Sequence, residues 1–440
     1  MIFGELKSKT FFDVLVPLGI VNWLTGLGMY QASNQSNCSY ICSLMMMVSI
    51  NFLHWIFIYI GAQKTLRQLD EAAKLPNFPD KMLKTLVITN VIIAVIAPLL
   101  LMSRKKLLTE HCLQKVAALD VKFSRIFGAK NQYGKQYLWI LFQIFLIFFV
   151  VCIAVVNDAS WIGSFSRNFF EHLCVTFTLH HPILVLLLLD LNFCTLVGYV
   201  EMKFRDLNES LRQIEKRSLF GLRKKMVPRQ FQLSALNGRT AYRSGRDHPD
   251  FFRNDYIYLL QETRKTHLEL SKMSRKINEA FGIQNLLSII ISFGMTTGLL
   301  YTFYISNRPF GMSWLRRLRP SNFSSCLWAA IYASKIVTTN FVCGKVVREV
   351  TKTGHIIYEL LAMPSLDKVI QVEVQEFSLQ MIQNPVSFDV GGFFVLDISS
   401  IHGIIGSVTT YLVILIQMSA PYESPSTYPA GNNSTNNAEI

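Results

Sequence analysis

"CVTFTLHHPILVLLLLDLNFCTLVG", Cys174–Gly198, is an unbroken apolar run in which Asp190 is the one acidic residue and no lysine or arginine occurs. A helix needs roughly 20 mostly apolar residues to cross the hydrocarbon core of a bilayer, so this stretch reads as a membrane span. Five further segments have the same character: Ile41–Ile60, Lys84–Met102, Tyr137–Val156, Gly282–Ile305 and Ile398–Met418. A seventh, Phe323–Cys343, carries Lys335 and several hydroxyls, but its centre "CLWAAIYASKIV" is apolar at most positions. The expected fold is all-α, with seven transmembrane helices.

Composition agrees. Hydrophobic residues make up 51% of the 440 and charged residues 16%, against about 25% charged in an average soluble domain. The formal net charge of +14 is spread between apolar blocks rather than gathered in one basic domain, which argues against a nucleic-acid partner and for membrane lipid around the spans. The eight cysteines form neither a zinc-type spacing nor C-x-x-C, and no nucleotide loop or histidine-box set occurs, so neither an enzyme nor a cofactor or metal is expected.

Lysine and arginine concentrate on the cytoplasmic side of short loops, which gives the orientation. Residues 103–136 contain Arg104, Lys105, Lys106, Lys115, Lys122, Arg125, Lys130 and Lys135 against Glu110 and Asp120, whereas 157–172 has Arg167 alone and the tail after Met418 has no basic residue. The chain therefore reads as N-inside and C-outside. One loop dissents: Asn307–Asn322 carries Arg308, Arg316, Arg317 and Arg319 yet falls outside. Glycosylation sequons at Asn322, Asn432 and Asn433 also fall outside, while those at Asn34, Asn37 and Asn208 fall inside.

Several internal segments show one-sided helical periodicity. Phe204, Leu207, Leu211 and Ile214 continue the fourth span; Leu259, Leu260, His267, Leu270, Met273 and Ile277 lead into the fifth; 346–361 and 366–383 repeat the pattern. Helices with one apolar side each must bury those sides together, which predicts a helical domain beneath the membrane. The resulting division is a cytoplasmic N-terminus over 1–40 with a short amphipathic surface helix from Phe11 to about Gly19; spans one to four over 41–200; a cytoplasmic loop and helix extensions over 201–281; spans five and six over 282–343; cytoplasmic anchor helices over 344–397; the last span over 398–418; and a disordered extracellular tail over 419–440.

The last span carries the sharpest pattern. Gly403, Thr410 and Gln417 recur every seven residues, with Gly406, Ser407, Val413 and Ile414 in the turns between, while Ile401, Ile405, Leu412 and Ile416 project elsewhere. Two readings of this small, polar stripe stand side by side: close packing against another helix, or the wall of a pore narrowed at Gln417 and Met418.

Its end, "TTYLVILIQM" (Thr409–Met418), resembles the C-terminal signature of the insect gustatory receptors, a Thr-Tyr, five hydrophobic residues and Gln-Phe. Thr410, Tyr411, Leu412 to Ile416 and Gln417 match in order; Met418 stands where the family usually has Phe. The upstream "FSLQMIQNPVSFDVGGFFVLDISSI", Phe377–Ile401, is similar to the family's approach to its last span. The resemblance implies a plasma-membrane, ligand-gated, non-selective cation channel in a gustatory neuron dendrite. It implies a homotetramer, or a heteromer with related receptors, whose last helices surround one pore with Gln417 and Met418 at the gate. It also implies a small-molecule tastant pocket per subunit among the first six spans and a cytoplasmic anchor. Thr410, Val413 and Ile414 join the pore set from the helical projection.

Pocket candidates are polar and aromatic residues in the outer halves of the spans: Trp55 and Tyr59, Asn157 and Asp158, His180 and His181, Thr297, Tyr301 and Tyr304, and Trp328 and Tyr332. Their aromatic bias points to bitter plant secondary compounds, with a sugar-gated member of the same family or a seven-span G-protein-coupled receptor as alternatives. Asp190, Lys335 and Asp397, ionisable groups in or beside spans, read as functional groups or as structural pairs.

Overall fold

The computed structural model describes residues 10–28, 37–72, 78–127, 133–162, 168–226, 249–307, 320–363 and 367–418. The Arg-rich stretch from Arg308 to Arg319, Arg167, the linker 227–248, the sequons at Asn34, Asn432 and Asn433, and the tail 419–440 lie outside them.

The described residues form ten α-helices: α1 (Phe11–Leu24), α2 (Asn37–Ala72), α3 (Phe78–Leu107), α4 (Gln114–Phe127), α5 (Tyr133–Ile162), α6 (Phe169–Met226), α7 (Pro249–Ser306), α8 (Pro320–Leu361), α9 (Lys368–Gln383) and α10 (Ile398–Met418). A π-helical turn, Leu108–Leu113, joins α3 to α4. Seven helices are long and apolar enough to cross a membrane, and each expected span lies inside one of them. The weak sixth segment falls within a continuous apolar helix, Asn322–Leu361.

The seven differ sharply in burial. In the fourth span 72% of the most apolar window is buried, against 17% in the first and third and none in the seventh. α6 is therefore the axis of the bundle, touched by α1, α2, α3, α5, α7 and α8, and its near-continuous Leu run is apolar on every side because neighbours cover every side. α6 and α7 have 58 residues each, about 87 Å at 1.5 Å per residue, far more than a bilayer core of about 30 Å requires. Their excess length, with α8 and α9, builds one apolar cluster of Leu211, Leu260, Ile356, Ile357, Leu360, Val374 and Phe377.

α1 differs from the expected amphipathic surface helix. It runs to Leu24, capped by Thr10 and Asp13, and buries Phe11, Val14, Leu15, Leu18 and Asn22 while Val16, Ile20 and Leu24 on the other side are also apolar. Phe11 packs on Tyr199 and Tyr133 of α6 and α5, and at the other end Asn22 and Asn192 exchange two amide hydrogen bonds of 2.8 and 2.9 Å. Tyr199 and Asn192 are about 10 Å apart along α6, so α1 climbs along the bundle; a helix apolar on both sides gains more there than on a surface.

Lys203 of α6 is wholly buried. Its Nζ lies 3.0 Å from Asp120 Oδ1 and within 4.8–5.6 Å of the Phe123, Tyr133 and Tyr199 ring centres, and both tyrosine hydroxyls donate to Asp120. Carboxylate and aromatic faces together replace the ammonium's lost water and pin α4 and α5 to α6.

Before α10 the chain makes a tight hairpin. Asp389 bridges Val395, and Gly391 and Gly392 turn at φ of 60° and 79°, which side chains other than glycine rarely adopt. Phe388, Val390 and Leu396 plug the core from this hairpin, and Asp397 then caps α10 by accepting from Ser400 N at 2.7 Å. Asp397 is thus a helix cap.

Candidate ligand cavity and outward-facing last helix

A cavity of about 130 Å³ lies between α3, α5, α6, α7 and α8. A 150 Å³ apolar cavity is roughly the size that accepts benzene, so this one has room for a single-ring molecule. Leu83 and Leu86 of α3, Leu179 and Ile183 of α6 and Leu299 of α7 supply an aliphatic wall, and Met82 and Met295 add two thioethers. The polar members are Asp158, Thr302 and Ser324, together with the amphipathic rings of Trp328 and Tyr332.

Asp158 is 2% exposed, and its carboxylate is fully engaged by the protein. Oδ1 accepts from Ser324 Oγ at 2.6 Å and from Asn157 Nδ2 at 3.2 Å. Oδ2 accepts from Trp328 Nε1 at 2.9 Å and faces His180 Nε2 at 3.2 Å. A carboxylate offers about four lone-pair sites, and these contacts already engage both oxygens. The other ring nitrogen, His180 Nδ1, lies 2.8 Å from the Thr176 carbonyl, which can only accept, so Nδ1 bears a hydrogen. The Nε2 edge of the same ring faces the carboxylate. Asp158 thus clamps α5, α6 and α8 together.

A second buried charge within the spans, on Lys335, is also paired. Lys335 Nζ lies 3.0 Å from Asp190 Oδ2, and Ser288 Oγ donates toward the same carboxylate.

Of the residues singled out by sequence, Asp158, Trp328 and Tyr332 line the cavity, with Asn157 and His180 behind them on the carboxylate. The rest do not line it. Trp55 donates to the Ala94 carbonyl at 2.8 Å and ties α2 to α3, and Tyr59 is 63% exposed. His181 stacks on Phe177 and touches His54 at 4.4 Å between ring centres, away from the Asp158 side. Thr297 bonds back to the Phe293 carbonyl, and Tyr301 and Tyr304 lie elsewhere on α7. A search for polar and aromatic residues passes over the aliphatic wall because leucines facing a cavity and leucines facing lipid are identical in sequence.

α10 has no buried residue, yet it is not randomly exposed. Ile401, Ile404, Val408, Leu412 and Leu415 are half-covered, and the helix packs on α7 and α8, with Tyr411 edge-on to Phe293 at 5.8 Å. Gly403, Gly406, Ser407, Thr410, Val413, Ile414, Gln417 and Met418 are exposed on the side turned from those neighbours. Ser407 and Thr410 return their hydroxyl hydrogens to backbone carbonyls one turn earlier, which leaves their oxygens as acceptors along that face.

The family model described as 7tm Chemosensory receptor matches residues 17–420. The chain belongs to that family. The receptor is 24% identical over 323 residues to "Putative gustatory receptor 28b" of Drosophila melanogaster, covering 71% of this chain and 64% of the relative. It is 25% identical over 153 residues to the Drosophila gustatory receptor for bitter taste 66a, covering 35% and 29%. The receptor thus spans less than two thirds of the length of these curated relatives. Its fold is that of the insect olfactory receptor OR5 from Machilis hrabei, with a TM-score of 0.57 at 11% identity over 93% of this chain and 98% of that one; OR5 in complex with eugenol gives 0.56 over 92% and 97%. The receptor is a multi-pass membrane protein of a chemosensory family, not an enzyme.

Proposed function

We propose that the receptor is a tastant-gated, non-selective cation channel of the plasma membrane, oriented N-inside and C-outside, in which four copies of α10 enclose one pore. The observation that carries this reading is the last helix. A membrane span with no buried residue in its own subunit has a second surface to satisfy, and the side turned away from α7 and α8 is the small, polar one ending at Gln417. Lipid would favour the opposite arrangement, with aliphatic side chains outward. A neutral amide can replace part of an ion's hydration shell without holding it, and Met418 beside it, 79% exposed, suits a gate that closes by dewetting.

In this reading the cavity around Trp328 and Tyr332 is the tastant site, opening toward the extracellular half, and α7, which borders both the cavity and α10, couples the two. The clustered ends of α6, α7, α8 and α9 form the cytoplasmic anchor of the tetramer. The name of the bitter-taste relative and the eugenol complex of OR5 belong to those proteins; together with an apolar, aromatic cavity here they support bitter plant secondary compounds over sugars as ligands. Gln417, Met418, Ile414, Val413 and Thr410 are the pore and gate residues of this proposal; the sequon at Asn322 is not part of it, because that side chain is 3% exposed and its amide nitrogen donates to Asn307 Oδ1 at 3.2 Å, which leaves no room for a glycan.

The test is whole-cell recording from cells expressing the receptor alone and with related receptors, during application of plant phenolics, alkaloids and sugars. Ligand-evoked cation current that changes selectivity in Gln417→Ala is the expected result. Saturable binding with no current in any combination defeats the channel, and surface labelling of an N-terminal tag on intact cells defeats the orientation.

A further inference from the structure

The cavity's hydrogen-bonding inventory limits what it can hold. Asp158 has no lone pair left for a ligand, because its partners in the protein already engage both carboxylate oxygens. The Trp328 indole hydrogen and the Ser324 hydroxyl hydrogen are both spent on that carboxylate, and the Thr302 hydroxyl hydrogen is spent on the Gly298 carbonyl. Among the described residues lining the cavity, one side-chain hydrogen remains uncommitted. Tyr332, 1% exposed, has a phenolic oxygen with no partner. Such groups in native proteins are normally satisfied by something, and a bound molecule is one candidate for a wall residue of a cavity.

We infer that the cavity takes a neutral, single-ring-sized molecule with one hydrogen-bond acceptor, which the Tyr332 hydroxyl meets, and that it excludes both cations and polyols. An ammonium finds no free carboxylate, and a sugar brings several hydroxyls to a wall that is mostly leucine, isoleucine and methionine. Tyr332 is then the specificity residue of the tastant site. The inference rests on the reading of this cavity as that site, and not on conduction through α10.

The test uses the purified full-length receptor in lipid nanodiscs and four probes: acetophenone, its near-isostere ethylbenzene without the acceptor, benzylammonium and glucose. Saturable binding of acetophenone is expected, with no displacement by benzylammonium or glucose. Tyr332→Phe should weaken acetophenone about five- to tenfold, the worth of one neutral hydrogen bond, and leave ethylbenzene within about twofold. The variant should unfold at the wild-type temperature or above, because the hydroxyl it removes has no partner, so lost binding is not lost fold. Equal acetophenone affinity in the two proteins, no saturable acetophenone binding, or competitive binding by benzylammonium or glucose overturns the inference. The two readings fail separately: Tyr332-dependent binding without current removes the channel and leaves the pocket, whereas glucose-evoked current abolished by filling the cavity with Met295→Trp removes the pocket chemistry and leaves the channel.

Discussion

Lys335 Nζ of α8 lies 3.0 Å from Asp190 Oδ2 of α6, with side chains 2% and 11% exposed. The contact joins the sixth span to the most buried one, and Ser288 of α7 adds a third helix. Lys335→Met strands a buried carboxylate and Asp190→Leu strands a buried ammonium. Each should cost about 3–5 kcal/mol, while the double variant recovers most of the loss because two apolar side chains fit where a balanced pair stood. Thermal unfolding in detergent over the four-protein cycle measures this; a double variant as unstable as the two losses added shows that the pair does not hold the helices.

Gly61 sets how closely α2 approaches α6. A Cβ built there would lie 2.3 Å from both the Cys174 carbonyl oxygen and Thr178 Oγ1, and one of those is rigid backbone. Gly61→Ala should therefore destabilise the receptor by about 1–3 kcal/mol. Gly198 on α6 has nothing within 4 Å of its added Cβ, so Gly198→Ala should be neutral or stabilise by about 0.5–1 kcal/mol through backbone entropy. Melting temperatures that move equally for the two variants would remove the packing argument.

The spans were legible because hydropathy and length are local properties of the chain, and even Phe323–Cys343 was recoverable: its one charge, Lys335, is matched by Asp190 rather than left in lipid. The stripe on α10 was legible as a period, and its direction away from α7 and α8 follows only once packing is known. What sequence could not give was pairing across long separations. Asp158 finds Trp328 and Ser324 at separations of 170 and 166 residues, and nothing near any of the three in sequence announces the others. His180 and His181, adjacent in sequence, point to different partners because neighbours on a helix face about 100° apart. The path of α1 follows the same rule: which of its two apolar sides is buried, Phe11, Val14, Leu15 and Leu18 against α5 and α6, is decided by neighbours distant in sequence.

Cys112 sits in the π-helical turn between α3 and α4, fully buried. Burial pushes its thiol up to about 12, with Lys115 and Lys276 pulling the other way. Because the folded state holds the protonated form, the thiolate that reacts with maleimide is essentially absent at pH 8. In a variant whose other cysteines are replaced, native receptor should resist maleimide at pH 8 and label fully after denaturation. Fast labelling of the folded protein would mean that the turn opens, as π-helical turns at working joints can.

Gln417 and Ile416 are neighbours with different surroundings. Ile416 is half-covered by the rest of the chain, whereas Gln417 is exposed on the stripe with Thr410 and Gly403. If that stripe faces water in a shared pore, Gln417→Ala removes a carbonyl that ions pass and should shift reversal potential or raise resting leak with little effect on melting temperature. Ile416→Ala removes packed methylenes and should cost about 1–2 kcal/mol, less than the 2–5 kcal/mol of a fully buried site, and leave selectivity unchanged. The two substitutions thus separate a pore from a packing seam, using bi-ionic reversal potentials for one and thermal unfolding for the other. If Gln417→Ala lowers the melting temperature and leaves permeation untouched, the stripe is a helix contact and not the wall of a pore.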